Sequence, residues 1–272
     1  MQFAEFEPVS TREQLRQGDV IEATDNDAPM WRRHLVVITA DCDLAFDKHH
    51  GRITAVPLLH QTEYLLEMQF PRIRDRGLQK ALKLLRTQLT GTPHERLSDS
   101  GALRWLREAT PTEITAELGF DGTKATSFTK TLQALELLAR DPSSLPSAVQ
   151  LQTEGLVALG ASENNARKEV TLRLRQAFTQ TPGDALFLSS IGPGLTAGYF
   201  AFLRHLEQIP EPDIALAATR QTVKYRRVAR LTDRYAHALV QRFAMVFLAI
   251  GLPAAYEETR DFHSDLLEES LN

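Results

Sequence analysis

The spacing of apolar positions along this chain changes twice. Residues 18–23, 35–39 and 52–58 are short runs rich in Val and Ile, bounded by Gly, Asp and Pro, which is the pattern of strands and turns. From about residue 62 to 180 the spacing becomes three and four. Leu78, Leu82, Leu85 and Leu89 form one stripe with Lys80, Lys83 and Arg86 on other faces, followed by Leu132, Leu135 and Leu138 and then Val170, Leu174 and Phe178. Strand signals return at residues 183–188, 198–203 and 225–229, with Gly192-Pro193-Gly194 marking a loop. A final amphipathic helix is predicted over residues 232–250, with Thr232 as N-cap and Gly251 and Pro253 as its stop.

This alternation predicts an α+β protein. Residues 1–61 and 182–252 supply the two halves of one β-domain with a closing helix. Residues 62–181 form an all-α insertion, and residues 253–272 form an acidic tail carrying Glu257, Glu258, Asp261, Asp265, Glu268 and Glu269. The apolar stripe of residues 78–89 suits an internal core or a homo-oligomer interface equally.

Composition narrows the function classes. The chain has 272 residues, 43% hydrophobic and 24% charged, with a net charge of -4, so any polyanion site must come from a local patch rather than a global field. No apolar run is long enough to span a bilayer, and the start lacks a secretory pattern, so a cytoplasmic protein without membrane contact is expected. The single cysteine forms no internal disulfide. Nucleotide-binding glycine loops, a nucleophile elbow and a zinc-helix motif are absent, and no cofactor is expected.

Candidate chemistry gathers in three places. The apolar run 35–38 leads into Asp41-Cys42-Asp43, with His49 and His50 soon after. These are metal-donor types, and a histidine near Cys42 is the arrangement of a thiol nucleophile. The spacing matches no regular zinc pattern, and Asp-rich strand ends also serve as turns, so no metal is assigned. Near the end of the chain, Arg220, Lys224, Arg226, Arg227 and Arg230, with Arg234 beyond them, surround Tyr225, a mixture suited to phosphate neutralisation and base stacking. Residues 111–120 followed by 126–132 read either as a helix-turn-helix or as an ordinary helical hairpin.

Gly18-Asp19-Val20-Ile21, an arginine ahead of Leu35-Val36-Val37-Ile38, and Ile53-Thr54-Ala55-Val56-Pro57-Leu58 together resemble the opening strands of the SH3-like barrel in the MazF/PemK toxin family. The resemblance covers about forty residues and a looser terminal helix pattern. It implies a small SH3-like β-barrel built from N- and C-terminal segments, and a setting in a bacterial regulatory or defence-type system. In that family an arginine before the second strand and a hydroxyl residue after the third strand's proline contribute to RNA cleavage. Arg33 or Arg32 fits the first position, whereas Leu58 and Leu59 occupy the second, and the helical insertion is foreign to those toxins. Taken together, the chain is expected to be a non-catalytic recognition module for nucleic acid, RNA or DNA, or for a protein partner. The rival expectation is an endoribonuclease or other hydrolase using Arg33, Asp41 and Cys42.

Overall fold

The computed structural model describes residues 4–179, 183–216, 223–247, 259 and 262–263. It divides into two compact units. One comprises residues 1–58, 183–196 and 201–272, and the other residues 59–182 and 197–200.

The first unit is a curled, largely antiparallel half-barrel. Its strands are β1 (Phe6–Glu7), β2 (Asp19–Ala23), β3 (His34–Val37), β4 (Arg52–His60), β5 (Ala185–Leu188), β6 (Tyr199–Phe202), β7 (Glu207–Pro210), β8 (Ile214–Ala215) and β9 (Tyr225–Leu231). Their order is β1-β9-β2-β3-β4-β6-β5, with β7 also on β4 and β8 parallel to β9. Two short helices interrupt the first half, α1 (Met30–Arg33) and α2 (Asp41–Ala45). The predicted strands at both ends of the chain are present. The segment 41–43 is a helical turn rather than a strand end, so Asp41 and Asp43 do not alternate as they would on a strand.

Leu15, Ile21, Leu35, Val37, Ile53, Ile209, Ile214 and Tyr225 form the core of this half-barrel. The last two strands reach it because the chain returns. Arg52 to Ala55 of β4 pair with Pro210 to Glu207 of β7, and β9 lies between β1 and β2. Gly18 opens β2 at φ +89, a left-handed value that glycine adopts without strain. A Cβ there would lie 2.9 Å from the Cβ of Ala236, so glycine also lets the closing helix α10 (Asp233–Phe247) approach. Thr232 does not act as its side-chain cap. Its hydroxyl donates to the Ala4 carbonyl while its own carbonyl accepts from Tyr235 and Ala236. Ile250, Gly251, Pro253 and the acidic residues of the predicted tail lie outside the described residues.

The pairing of β2 with β9 contains a bulge. Val20 faces Ala229 but Ile21 faces Arg227, leaving Val228 as the extra residue. Residues three apart on a strand point to opposite faces; the bulge puts Arg227 and Arg230 on the same face, opposite Ile21 and Asp19. Asp19 is fully buried, and the Arg227 and Arg230 side chains are 2% and 5% exposed. Asp19 accepts from Arg230 Nε at 2.7 Å, from Arg227 Nη1 at 3.1 Å and from the Arg16 backbone N–H at 2.8 Å. The remaining guanidinium N–H groups hold the preceding loop. Arg227 donates to the carbonyls of Ser10, Glu13 and Gln14, and Arg230 donates to Gln14 O and to the Glu13 carboxylate.

The second unit is helical: α3 (Gln61–Tyr64), a π-turn (Leu65–Gln69), α4 (Phe70–Leu89), α5 (Asp99–Glu108), α6 (Pro111–Glu117), α7 (Gly122–Ala139), α8 (Leu145–Ala158) and α9 (Glu163–Thr179). The stripe predicted over residues 78–89 is internal, since Leu82, Leu85 and Leu89 pack with Phe128, Leu132, Leu135 and Leu138. Gly155 of α8 makes room for Leu138, because a Cβ there would meet its side chain at 2.6 Å. α7 is the central helix and packs against α4, α5, α6 and α8. A DNA-reading helix needs a free face. α7 buries Phe128, Thr131, Leu132, Ala134, Leu135 and Leu138, and Lys124 is drawn 3.9 Å over the Phe120 ring. The other face of α7, with Lys124, Thr126, Ser127, Lys130, Gln133 and Glu136, is exposed, so the packing agrees with a helical hairpin and leaves the helix-turn-helix expectation standing beside it.

Asp19 is the anion that makes two buried guanidinium groups tolerable. Asp19→Ala is expected to lower unfolding free energy by about 3–5 kcal/mol, as for other broken buried pairs. Arg226→Ala, which removes a half-exposed surface pair with Glu22, should cost less than about 1 kcal/mol. Urea denaturation of both variants checks the difference.

Candidate functional site

β9 was expected to present a basic surface, and the structure uses most of it internally. Tyr225 is buried in the half-barrel core, and Arg227 and Arg230 are enclosed around Asp19. Lys224 and Arg226 remain on the surface, paired with Asp213 at 2.9 Å and Glu22 at 2.6 Å. Arg220 lies outside the described residues. The three central residues of the predicted polyanion surface therefore face inward, because the bulge turns Arg227 and Arg230 toward a carboxylate more than two hundred residues earlier in the chain.

The expected trio of Arg33, Asp41 and Cys42 does not converge. Arg33 ends α1, immediately before β3, while Asp41 and Cys42 begin α2 after its other end. The four-residue strand alone separates these ends by about 13 Å at roughly 3.3 Å per residue. Each end has its own set of polar groups.

At the α1 end, Trp31 and Arg32 meet the turn between β6 and β7. Glu207, its side chain only 13% exposed, accepts from Arg32 Nε at 3.1 Å and lies 2.9 Å from His205 Nε2. The His205 ring stacks on Trp31, with centroids 4.9 Å apart and planes 16° from parallel. Phe202 flanks the same indole at 5.8 Å. Burial acts to raise the Glu207 carboxyl; the hydrogen bonds from His205 and Arg32 outweigh it and hold the group below the usual carboxylate range. An ionised carboxylate only accepts, so the hydrogen on Nε2 belongs to His205, and in the neutral imidazole Nδ1 carries the lone pair. Tyr225 is close enough to sense this cluster. Burial raises its phenol, Glu207 adds to the rise, and Arg32 opposes it.

At the α2 end, Asp41 accepts from Arg16 Nη2 at 3.1 Å and from the Gln17 backbone N–H at 2.7 Å. Cys42 is exposed, with Sγ 3.6 Å from the Asp43 carboxylate. Both ring nitrogens of His49 have partners other than the thiol, Nδ1 lying 3.1 Å from the Asp43 carbonyl and Nε2 3.0 Å from Glu211. Among the described residues, no group of three or more His, Cys, Asp or Glu side chains is arranged to hold a metal ion. A cleft of about 1150 Å³ opens beside these groups, lined by Leu15, Leu44, Ile214, Asp41, Asp47 and Glu211 among others.

His205 and Glu207 were missed in the sequence, although a histidine and a carboxylate two residues apart sit on one face wherever the chain is extended. No family model, curated protein or solved structure matches the chain. Among the described residues, no helix is long and apolar enough to cross a membrane.

The Glu211 hydrogen bond, then the Asp43 carbonyl, raises the His49 pKa above its ordinary 6.5, with burial opposing. A raised folded-state value stabilises fully below about pH 6.5 and loses that contribution as pH rises through the folded pKa. The stability deficit of His49→Asn should therefore be larger at about pH 5.5 than at about pH 9. Thermal denaturation of both proteins at the two pH values checks the sign.

Proposed function

We propose that the protein is an endoribonuclease on an SH3-like half-barrel of the MazF/PemK type, with its reactive groups at Arg32, His205 and Glu207. The observation that carries this reading is one carboxylate that accepts from both a guanidinium and an imidazole, beside a Trp-His stack whose histidine side chain is 36% exposed. These groups supply a base, an orienting anion and a phosphate-binding cation. RNA cleavage through its own 2′-hydroxyl needs no further reagent.

In the proposed reaction His205 Nδ1 takes the proton of a ribose 2′-hydroxyl as that oxygen attacks the adjacent phosphorus. Glu207 holds the required tautomer through Nε2–H and stabilises the imidazolium that forms. Arg32 offsets the negative charge that grows on the phosphoryl oxygens. The bond to the 5′-oxygen breaks and that oxygen is protonated by solvent, leaving a 2′,3′-cyclic phosphate and a 5′-hydroxyl. The antiparallel neighbours β2, β3 and β4 support the SH3-like reading, as does the arginine just ahead of β3. Of the two arginines ahead of β3, Arg32 is the one whose side chain meets Glu207. Such an activity fits a bacterial regulatory or defence-type system.

A second reading, recognition of RNA or DNA without turnover, is favoured by exposed Lys224 and Arg226 on the strand that carries Tyr225. End-labelled single-stranded RNA separates the two. Discrete fragments ending in cyclic phosphate are expected from the wild type, with rates reduced about 10²–10⁴-fold in His205→Ala and in Arg32→Ala. Complexes that weaken with added salt but yield no fragments would establish recognition alone. Fragments unaffected by either substitution would remove Arg32 and His205 from the chemistry.

A further inference from the structure

The cleft beside α2 is separate from Arg32, His205 and Glu207, and its chemistry differs. Of its lining residues, Leu15 and Ile214 are buried and Leu44 half-buried, which makes an apolar floor, while Asp41, Asp47 and Glu211 are exposed and form its rim. The lining cation Arg16 is bound to Asp41 at 3.1 Å and Glu211 is paired with His49 at 3.0 Å, so among the described lining residues three carboxylates stand with one guanidinium and Asp47 is the acid outside both pairs. Phosphate-rich ligands are repelled by such a rim. Phe46, between lining residues Ala45 and Asp47, is 72% exposed and adds an uncovered aromatic to the same segment. The Lys48 ammonium lies 5.6 Å from its ring.

Size points the same way. At about 1150 Å³ the cleft exceeds the space of a single side chain and lies just above the range of small-molecule pockets, about 300–1,000 Å³. An apolar floor rewards burial of aliphatic side chains, and an acidic rim rewards lysine or arginine on either side of them. We infer that this cleft docks a peptide segment of a partner protein in which basic residues alternate with leucine or isoleucine. The inference is independent of RNA cleavage, since no residue of the Arg32 cluster lines the cleft.

The test uses the full chain and three fluorescein-labelled synthetic peptides of equal length, read by fluorescence anisotropy: Lys/Leu, Glu/Leu and Lys/Ser. The Lys/Leu peptide is expected to bind with a Kd on the order of micromolar, and the other two at least about tenfold more weakly. Ala45 is exposed on α2 and lines the cleft, so Ala45→Trp should fill it with little effect on folding. That variant should lose at least about tenfold in Lys/Leu affinity. A double Asp47→Asn, Glu211→Gln variant should lose a similar factor and show a shallower salt dependence. Arg32→Ala should bind like the wild type, which keeps this result distinct from the fate of the ribonuclease reading. Absence of Lys/Leu binding would overturn the proposal. So would binding that survives both Ala45→Trp and the double variant, or preferential binding of single-stranded RNA that Ala45→Trp abolishes.

Discussion

The buried carboxylate of Asp19 is the constraint on which the half-barrel depends. It is fully buried and accepts hydrogen bonds from two guanidinium groups and a backbone N–H, so the desolvation cost of each ion is met by its neighbours. Those same arginines bind four carbonyl and carboxylate groups of residues 10–14, which fixes the loop leading into β2. One-residue slippage of β9 against β2 would turn the guanidinium groups to the other face of the sheet and leave Asp19 without its partners. The ionic cluster thus selects the register in which the bulge, the closing helix and the α1 end of β3 all fall into place.

Much of the fold is legible from periodicity. Strands β2, β3 and β4 are β-branched runs with turn residues around them, and the buried leucines of α4 and α7 follow helical spacing closely. What escapes is decided by long-range pairing. β7 and β8 are four and two residues long, too short to carry a pattern of their own, and exist because β4 and β9 offer them hydrogen bonds. The bulge leaves no mark in composition, yet it reverses the reading of Arg227 and Arg230 from solvent-facing cations to buried ones. Asp41 to Asp43 read as a strand end because the preceding run is apolar; the carboxylates instead sit in the first turn of α2, where they complement its N-terminus.

The candidate sites show the same division. Trp31 and Arg32 lie within the stretch that carries the clearest strand signal, but His205 and Glu207 follow about 170 residues later and join them only through the return of the chain. β3 acts as a spacer between two chemically opposed regions. One end gathers a guanidinium, an imidazole and an indole around one partly buried carboxylate, and the other combines an apolar floor with an acidic edge. Sequence proximity made Arg33, Asp41 and Cys42 look like one constellation, and the extended backbone between them keeps them apart.

The order of the chain also sets a clock. The Asp19 carboxylate leaves the ribosome 211 residues before the Arg230 side chain that neutralises it. At elongation rates of about 5–20 residues per second that interval is roughly 10–40 s. Throughout it β2 lacks its closing neighbour β9, while the locally connected helices α4 to α9 have time to pack. The nascent half-barrel therefore waits as an open edge carrying an unmatched acid, a charge that discourages edge-to-edge association until β9 arrives.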